Sequence, residues 1–260
     1  MTHATPLFPA AGRAGLAELV WSAPGGAEPR AIGVVPLLLG DAVAVALPWA
    51  YEEQARAAAA SPSAAIVLSE PRLGAPGWEP VAGVGRLLLV EDGEGELFRE
   101  QLLEQEVRKH PPARALCGSV LLRREHWWYL PRLILVLEPQ RVVPVGRREG
   151  PQDAVLAVDD GGLRLATVRV ADWGAGPLEV AGGPDARGPA VLVGQEVSTP
   201  DAERWTVHVT SGRYDGSGLQ DVQRPVTREL EAVPGLRARV RRQRALERSC
   251  VRALRAAGHG

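Results

Sequence analysis

The sequence is poor in lysine, sulfur and aromatic side chains. Lys109 is the single lysine beside many arginines, and the 260 residues include one methionine, two cysteines and 5% aromatic residues. This preference for arginine, with abundant alanine, glycine and proline, is typical of a GC-rich, actinobacterium-like source. Runs of arginine therefore carry little functional meaning by themselves.

Other absences exclude whole classes of protein. Cys117 and Cys250 lie far apart without metal-ligand spacing, so we expect neither a disulfide framework nor a zinc site. The net charge of −1 gives no global attraction for nucleic acid or for an anionic membrane. The N-terminus lacks the apolar core of a signal peptide, and no apolar run reaches transmembrane length. We expect a cytoplasmic protein with neither nucleic acid nor a membrane among its partners.

Hydrophobic periodicity predicts a mainly β chain with short helices. In the first half, two strands meet at Gly40-Asp41, a hairpin-type turn, and two glycines within a later strand predict a bend. In the second half, short strands at regular spacing predict another small barrel or a sandwich. The predicted strands cover 31–49 (the hairpin), 63–70, 81–92, 127–137, 153–160, 162–173, 177–183, 189–198 and 203–215. The predicted helices cover 51–61, 95–110 and 226–257, the last interrupted at Pro234-Gly235, and a linker covers 139–152.

A spaced pattern occurs once in each half. Pro62 is followed sixteen residues later by Trp78 and seven later by Gly85-Arg86; Pro189, Trp205 and Gly212-Arg213 repeat both intervals. The apolar segments after the two prolines also align. Matched residues with matched strand patterns favour a tandem duplication.

The order of elements between residues 30 and 143 is a hairpin, a short helix ending at Ser-Pro, an apolar strand, a tryptophan loop and a glycine-containing strand. Carried by residues 42–71 and 78–106, this order resembles the FMN-binding split-barrel family, also called pyridoxamine-phosphate-oxidase-like. The resemblance implies antiparallel barrels that pair and hold flavin between them. It predicts two tandem split β-barrel domains that form an internal pseudo-dimer, either monomeric or paired again as a homodimer. The predicted domains are 14–145, a degenerate second barrel over 151–223, and an arginine-rich helical segment over 224–260.

The resemblance also implies where a flavin would lie. Members of the family place the end of a strand against the flavin ring, and Trp49 lies in the corresponding position. Its indole can stack on the ring, or it can simply cap the barrel. The candidate cofactor-binding residues are Pro48, Trp49, Ala50, Tyr51, Arg56, Trp128 and Arg132.

The residues at the position of the flavin phosphate depart from the family pattern. FMN-binding members carry an Arg-Lys pair at the start of the short helix, whereas this sequence has Glu53 and Gln54 there. A carboxylate repels phosphate, and Arg56 is the neighbouring cation that remains to compensate.

Two further motifs have structural interpretations. Strand alternation would send Trp127 and Tyr129 to one face and Trp128 to the other, so the three rings cannot line one pocket. In the C-terminal segment, a stripe at four-residue spacing predicts packing on the body, with the arginines left in solvent. That stripe is formed by Leu246, Cys250 and Leu254.

Two hypotheses from different classes follow. The first is a flavin-dependent oxidoreductase that binds FMN between its barrels, together with a small-molecule substrate; the cofactor would supply the hydride chemistry. Deazaflavin and haem are alternative cofactors, with His126 or His208 as conceivable haem ligands. The second is a non-catalytic binding module that has lost FMN. The sequence identifies no catalytic residue and predicts no metal site.

Overall fold

Two β units and a C-terminal helix form the part of the chain that the computed structural model describes, namely residues 6–113, 127–173, 177–199, 202–222, 232 and 235–259. The strands are β1 Ala17–Trp21, β2 Arg30–Val34, β3 Leu37–Leu39, β4 Ala42–Pro48, β5 Ala64–Leu68, β6 Val81–Asp92, β7 Arg132–Pro144, β8 Asp153–Asp159, β9 Leu163–Val170, β10 Leu178–Ala181, β11 Gly188–Val197, β12 Trp205–Tyr214 and β13 Gly218–Gln220. The helices are α1 Leu7–Arg13, α2 Glu52–Ala60, α3 Leu103–Lys109 and α4 Leu236–Ala256. The chain is mainly β with short helices, as predicted.

The N-terminal unit is a seven-stranded antiparallel sheet in the order β2-β1-β5-β6-β7-β4-β3. Its hairpin turns at Gly40-Asp41, and α2 ends before Pro62, as the sequence predicts. The predicted bend in β6 is a register shift between Val84 and Gly85. A β-carbon at Gly85 would lie 2.0 Å from the carbonyl oxygen of Glu138, so this crossing requires glycine.

The C-terminal unit is a closed barrel in the order β10-β13-β12-β11-β8-β9. Alternation along its strands fills the interior with apolar side chains. This inner cluster includes Ala154, Leu156, Val158, Val168, Val170, Leu178, Ala190, Leu192, Tyr214 and Leu219. A closed barrel and a large curved sheet are consistent with two split-barrel domains.

The repeated pattern lies on comparable strand pairs. Pro62 and Trp78 precede β5 and β6, while Pro189 and Trp205 lie at the starts of β11 and β12. Ala64, two residues after its proline, pairs with Gly85, whereas Ala190, one residue after its proline, pairs with Gly212. The two registers thus differ by one residue, and the duplication stays a prediction.

Two segment predictions were wrong. Residues Trp127–Tyr129 form a 3₁₀ turn rather than a strand, and Leu130 donates its N–H to the Trp127 carbonyl at 3.2 Å. Proline at 131 lacks an N–H for the sheet, so β7 begins only at Arg132. β7 then continues to Pro144, through part of the predicted linker, because it pairs along β6.

The helix predicted over 95–110 is largely present. A π-helical turn, Phe98–Leu102, leads directly into α3. The N–H of Phe98 donates to the carboxylate of Asp92 at 2.7 Å, which satisfies a free amide near the start of the helix.

An apolar cluster joins the two units. The N-terminal sheet contributes Val20, Ala31, Ala65, Val67, Ala82 and Val84, and the barrel contributes Val155, Ala157, Leu163, Val191 and Val193. At Gly33 on β2, a β-carbon would lie 2.6 Å from Val207 and 2.8 Å from Trp205. The absence of a side chain at Gly33 therefore allows the two units to approach closely.

Candidate functional site

The predicted flavin-facing strand end lies at the junction of β4 with α2. Pro48 ends β4, and the 3₁₀ turn Trp49–Tyr51 leads into the helix. Trp49 is completely buried, Pro48 and Ala50 are half-buried, and Tyr51 is 40% exposed. The four residues therefore do not present one continuous face to a ligand.

The C-terminal helix α4 covers this strand end. The side chains of Cys250 and Leu254 are buried, which confirms the predicted packing of that stripe. The imidazole of His259 meets the indole of Trp49 edge-on, with ring centroids 5.3 Å apart. Burial raises the pKa of the Cys250 thiol, although the backbone N–H groups of Ala50 and Trp49 at the sulfur oppose this shift.

Arg132 lies fully buried between two aromatic rings. Its guanidinium carbon lies 4.2 Å from the ring centre of Phe98 and 3.9 Å from that of Tyr129, both cation–π distances. Glu106 accepts a hydrogen bond from the Tyr129 hydroxyl and lies 3.6 Å from Nη2 of Arg132. Among the described residues, neither Nε nor Nη2 of Arg132 has a hydrogen-bond partner. This buried cation is held mainly by ring faces and one carboxylate.

The aromatic triplet is divided differently from the strand prediction. Trp127 is 67% exposed, whereas Trp128 and Tyr129 are both 6% exposed. The rings of Trp128 and Tyr129 meet edge-on with centroids 5.9 Å apart. A 3₁₀ turn places consecutive residues about 120° apart, which allows two neighbours to enter the core together. Trp128 therefore packs within the N-terminal unit and Trp127 does not.

Among the described residues, the arginine nearest the phosphate position is already paired with carboxylates. Glu53 is exposed in the first turn of α2, and Arg56 forms ion pairs with Glu52 at 2.8 Å and Glu91 at 2.7 Å. Glu91 and Glu52 raise the pKa of Arg56 and accept hydrogen bonds from its Nη1 and Nε atoms, respectively. Because the acids of α2 already complement the positive end of the helix dipole, a phosphate there would meet negative charge. These residues do not fit FMN.

The contact between the two units contains a buried polar network that the sequence did not predict. Arg148 Nη1 donates to Glu18 Oε1 at 2.8 Å, and Arg148 Nη2 donates to the carbonyl of Gln195 at 2.9 Å. The Gln195 side-chain amide donates to the same Glu18 oxygen at 2.7 Å and accepts from the Trp205 indole at 2.7 Å. All but Trp205 are almost completely buried. The network thus fixes β1 against β11.

A second pair of charges extends this network. Glu70 is completely buried and accepts two hydrogen bonds from the Arg72 guanidinium, at 2.8 and 2.7 Å. Arg72 also donates to the carbonyl of Gln195 at 2.9 Å. Burial raises the pKa of Glu18, whereas Arg148 and the Gln195 amide oppose the shift. In the sequence, Glu18 and Gln195 each lie within an apolar segment, and this is the one signal that could have identified them.

The candidate site and the interface lie on different parts of the N-terminal sheet. Pro48 ends β4 and Arg132 begins β7, whereas the barrel contacts β2 through β11 and β12. The predicted placement of a cofactor between two barrels therefore stays a prediction. His208, a conceivable haem ligand, is buried on β12, and His126 lies outside the described residues.

Among the residues that the structure describes, no group of three or more His, Cys, Asp or Glu side chains is placed to hold a metal ion. No described helix combines enough length with enough apolar character to cross a membrane.

Known proteins provide distant structural likenesses. No protein-family model matches the sequence, and no curated protein matches it significantly. A pyridoxamine 5'-phosphate oxidase-related, FMN-binding protein from Nostoc punctiforme is 14% identical, with 76% of this chain and 86% of that chain covered and a TM-score of 0.30. A haem-binding protein from Mycobacterium smegmatis is 17% identical, with 97% and 99% covered and a TM-score of 0.31.

Proposed function

We propose that this chain is a non-catalytic split-barrel binding module that has lost FMN. One observation carries the proposal: the chain's own helix α4 fills the strand end that would face a flavin. The Trp49 indole is completely buried there, and the imidazole of His259 packs against it. A flavin ring could stack on Trp49 only after α4 had moved away.

The charges on α2 support the same conclusion. Glu52 and Glu53 lie in its first turn, where a phosphate group would need hydrogen-bond donors. Both contacts that Arg56 makes there are to carboxylates. Binding FMN would require breaking those ion pairs and bringing a dianion close to Glu53.

An absorption spectrum of the purified protein, followed by thermal unfolding with added FMN, deazaflavin or haem, tests this proposal. We expect no flavin or haem absorption and no shift in Tm with any of the three, because a ligand stabilises only a fold that binds it. A yellow protein with stoichiometric flavin, or a Tm that rises with FMN concentration, would overturn the proposal.

A variant that restores the basic pair at the phosphate position distinguishes two reasons for the loss of FMN: a missing phosphate contact and a missing pocket for the flavin ring. We expect Glu53→Arg with Gln54→Lys to leave FMN unbound, because α4 still covers Trp49. Ala57→Arg with Ala60→Lys adds the same two cations at exposed positions of the same helix while keeping Glu53, and serves as the control for added positive charge. Flavin binding by the first variant and not by the control would mean that a flavin-shaped pocket persists, contrary to the proposal.

A second candidate function, a flavin-, deazaflavin- or haem-dependent oxidoreductase, is favoured by Arg132. Buried donors are normally satisfied, and an anionic group on a ligand would satisfy the Nε and Nη2 atoms of this guanidinium. Leu254→Ala loosens the packing of α4 and discriminates between the two functions. Under the second function this variant binds the cofactor more tightly than the unmodified protein, whereas under the first neither protein binds it.

A further inference from the structure

The outward face of α4 carries a line of arginines. They recur every three or four residues, which places them on one side of the helix. At a rise of 1.5 Å per residue, they span about 27 Å. We call this line the arginine ridge; its members are Arg237, Arg241, Arg244, Arg248, Arg252 and Arg255, and all six are exposed.

The ridge faces away from the protein body. Cys250 and Leu254, which anchor α4, each lie two residues after a ridge arginine, Arg248 and Arg252. Two residues correspond to roughly half a turn of an α-helix, so the anchors and the ridge occupy opposite sides. Two open surface depressions also lie along the ridge, and Val240 and Glu247 are among the residues that line them.

The described residues do not neutralise the ridge. Within the described ranges, no ridge arginine forms an ion pair, whereas Arg239, off the ridge, lies 3.3 Å from the Glu203 carboxylate. Helix α4 contains eight arginines and one glutamate, a charge of +7. Because the whole chain carries −1, the remainder carries −8. Like charges three and four residues apart destabilise a helix, and a polyanion would remove that repulsion.

Contrary to the expectation drawn from the net charge of the whole chain, we propose that the local charge of the arginine ridge binds the sugar–phosphate backbone of a nucleic-acid duplex without regard to base sequence. Arginine forks match phosphate oxygens, and a straight ridge can follow a line of phosphates along a rod. A flat anionic membrane fits less well, because it would also meet the acidic remainder of the chain. Moreover, the apolar side of α4 packs on the protein, so it has no free face to insert into lipid. This inference does not depend on whether the chain binds a flavin.

The test measures binding of the full-length protein to fluorescent DNA and RNA duplexes of mixed sequence by anisotropy. We expect binding to either duplex at low salt. Comparison of the DNA and RNA duplexes shows whether deoxyribose or ribose is preferred. If all six arginines contact phosphate, affinity should fall by about 10³-fold between 50 and 200 mM salt. No binding to either duplex at 50 mM salt would overturn the proposal.

Charge-reversal variants locate the binding surface. Arg241→Glu, Arg244→Glu and Arg248→Glu together should weaken duplex binding by more than 10-fold and flatten the salt dependence. The matched control, Arg86→Glu, Arg187→Glu and Arg213→Glu, makes the same charge change at exposed positions of the β units and should bind as the unmodified protein does. Equal losses in both variants would show that net charge, and not the ridge, controls binding, which would overturn the proposal.

Two further measurements complete the test. Replacing the same three ridge residues by lysine keeps the charge and the helix, so it should retain most of the affinity; complete loss would contradict phosphate binding. Should the glutamate variant fail to fold by circular dichroism, glutamine at the same positions replaces it, with the same expected direction. Vesicles rich in phosphatidylserine form the last arm: ridge-dependent binding to vesicles without duplex binding would overturn the nucleic-acid assignment.

Discussion

The buried cation at the contact between the two β units provides the sharpest test of how they are held together. Arg148 is 2% exposed and donates both to the Glu18 carboxylate and to the Gln195 carbonyl. Arg148→Met keeps an aliphatic chain of similar length and removes the charge. The variant therefore isolates the cost of leaving Glu18 in a dry site without its cation.

The expected cost is large because the site is completely buried. Breaking a buried pair by removing one partner typically costs about 3–5 kcal/mol, and we expect Arg148→Met to lower the free energy of unfolding by that amount. Adding Glu18→Gln removes the stranded charge, so the double variant should be more stable than the sum of the two single effects predicts, by at least ~1 kcal/mol. Arg169→Met is the control: the Arg169 side chain is exposed, and the buried Asp153 carboxylate keeps hydrogen bonds from the N–H groups of Glu149 and Gly150, so the cost should stay below about 1 kcal/mol.

The effect of pH gives a second signature of the same site. Burial raises the pKa of Glu18, and Arg148 opposes that shift. Without the arginine, the folded state should bind a proton at Glu18 more tightly than the unfolded chain does, so stability is lost as pH rises above the unfolded pKa. The penalty of Arg148→Met should therefore be smaller at pH 5 than at pH 8.

Urea unfolding followed by tryptophan fluorescence and by far-ultraviolet circular dichroism measures these differences. Coincident transitions justify a two-state analysis of each variant. A loss below 1 kcal/mol for Arg148→Met, additive with Glu18→Gln and equal at the two pH values, would refute the burial of this network.

Three other predictions concern packing and titration. Gly33→Ala should lower the unfolding free energy by about 1–3 kcal/mol, because the added methyl group overpacks against the barrel. Gly162→Ala is the control, since no atom lies within 4 Å of the added β-carbon. Equal effects of the two substitutions in the urea assay would exclude the clash at Gly33. Burial, followed by the nearby charge of Arg108, lowers the pKa of Lys109 to about 7, so the folded state binds that proton less tightly than the unfolded chain. The stability of the protein relative to Lys109→Met should rise by about 2 kcal/mol from pH 7 to pH 9, and a flat difference would contradict the shift. The buried Cys250 thiol should react with a disulfide reagent only as α4 opens, so immediate labelling of the native Cys117→Ser protein would contradict its burial.

Local signals predicted the fold where neighbouring residues determine it. The Gly40-Asp41 turn, the helix before Pro62 and the glycine bend of β6 follow from backbone preferences that tertiary structure did not override. Packing of Cys250 against the body followed from helical spacing.

Non-local contacts determined what the sequence alone missed. The turn at Trp127–Tyr129 depends on how two rings enter the core, which alternation along one strand cannot show. The link between Glu18 and Gln195 joins residues 177 positions apart, and no local pattern specifies that pairing. The candidate cofactor residues were placed by family resemblance, which carries no information about the helix that covers Trp49.

The position of α4 in the chain has a consequence for synthesis on the ribosome. Trp49 is translated before the barrel, β8 to β13, whereas the residues that cover it, Cys250, Leu254 and His259, are translated after the barrel. The nascent N-terminal sheet therefore exposes an apolar indole until α4 has been translated. During that interval a chaperone or a small molecule can reach a surface that is closed in the finished protein.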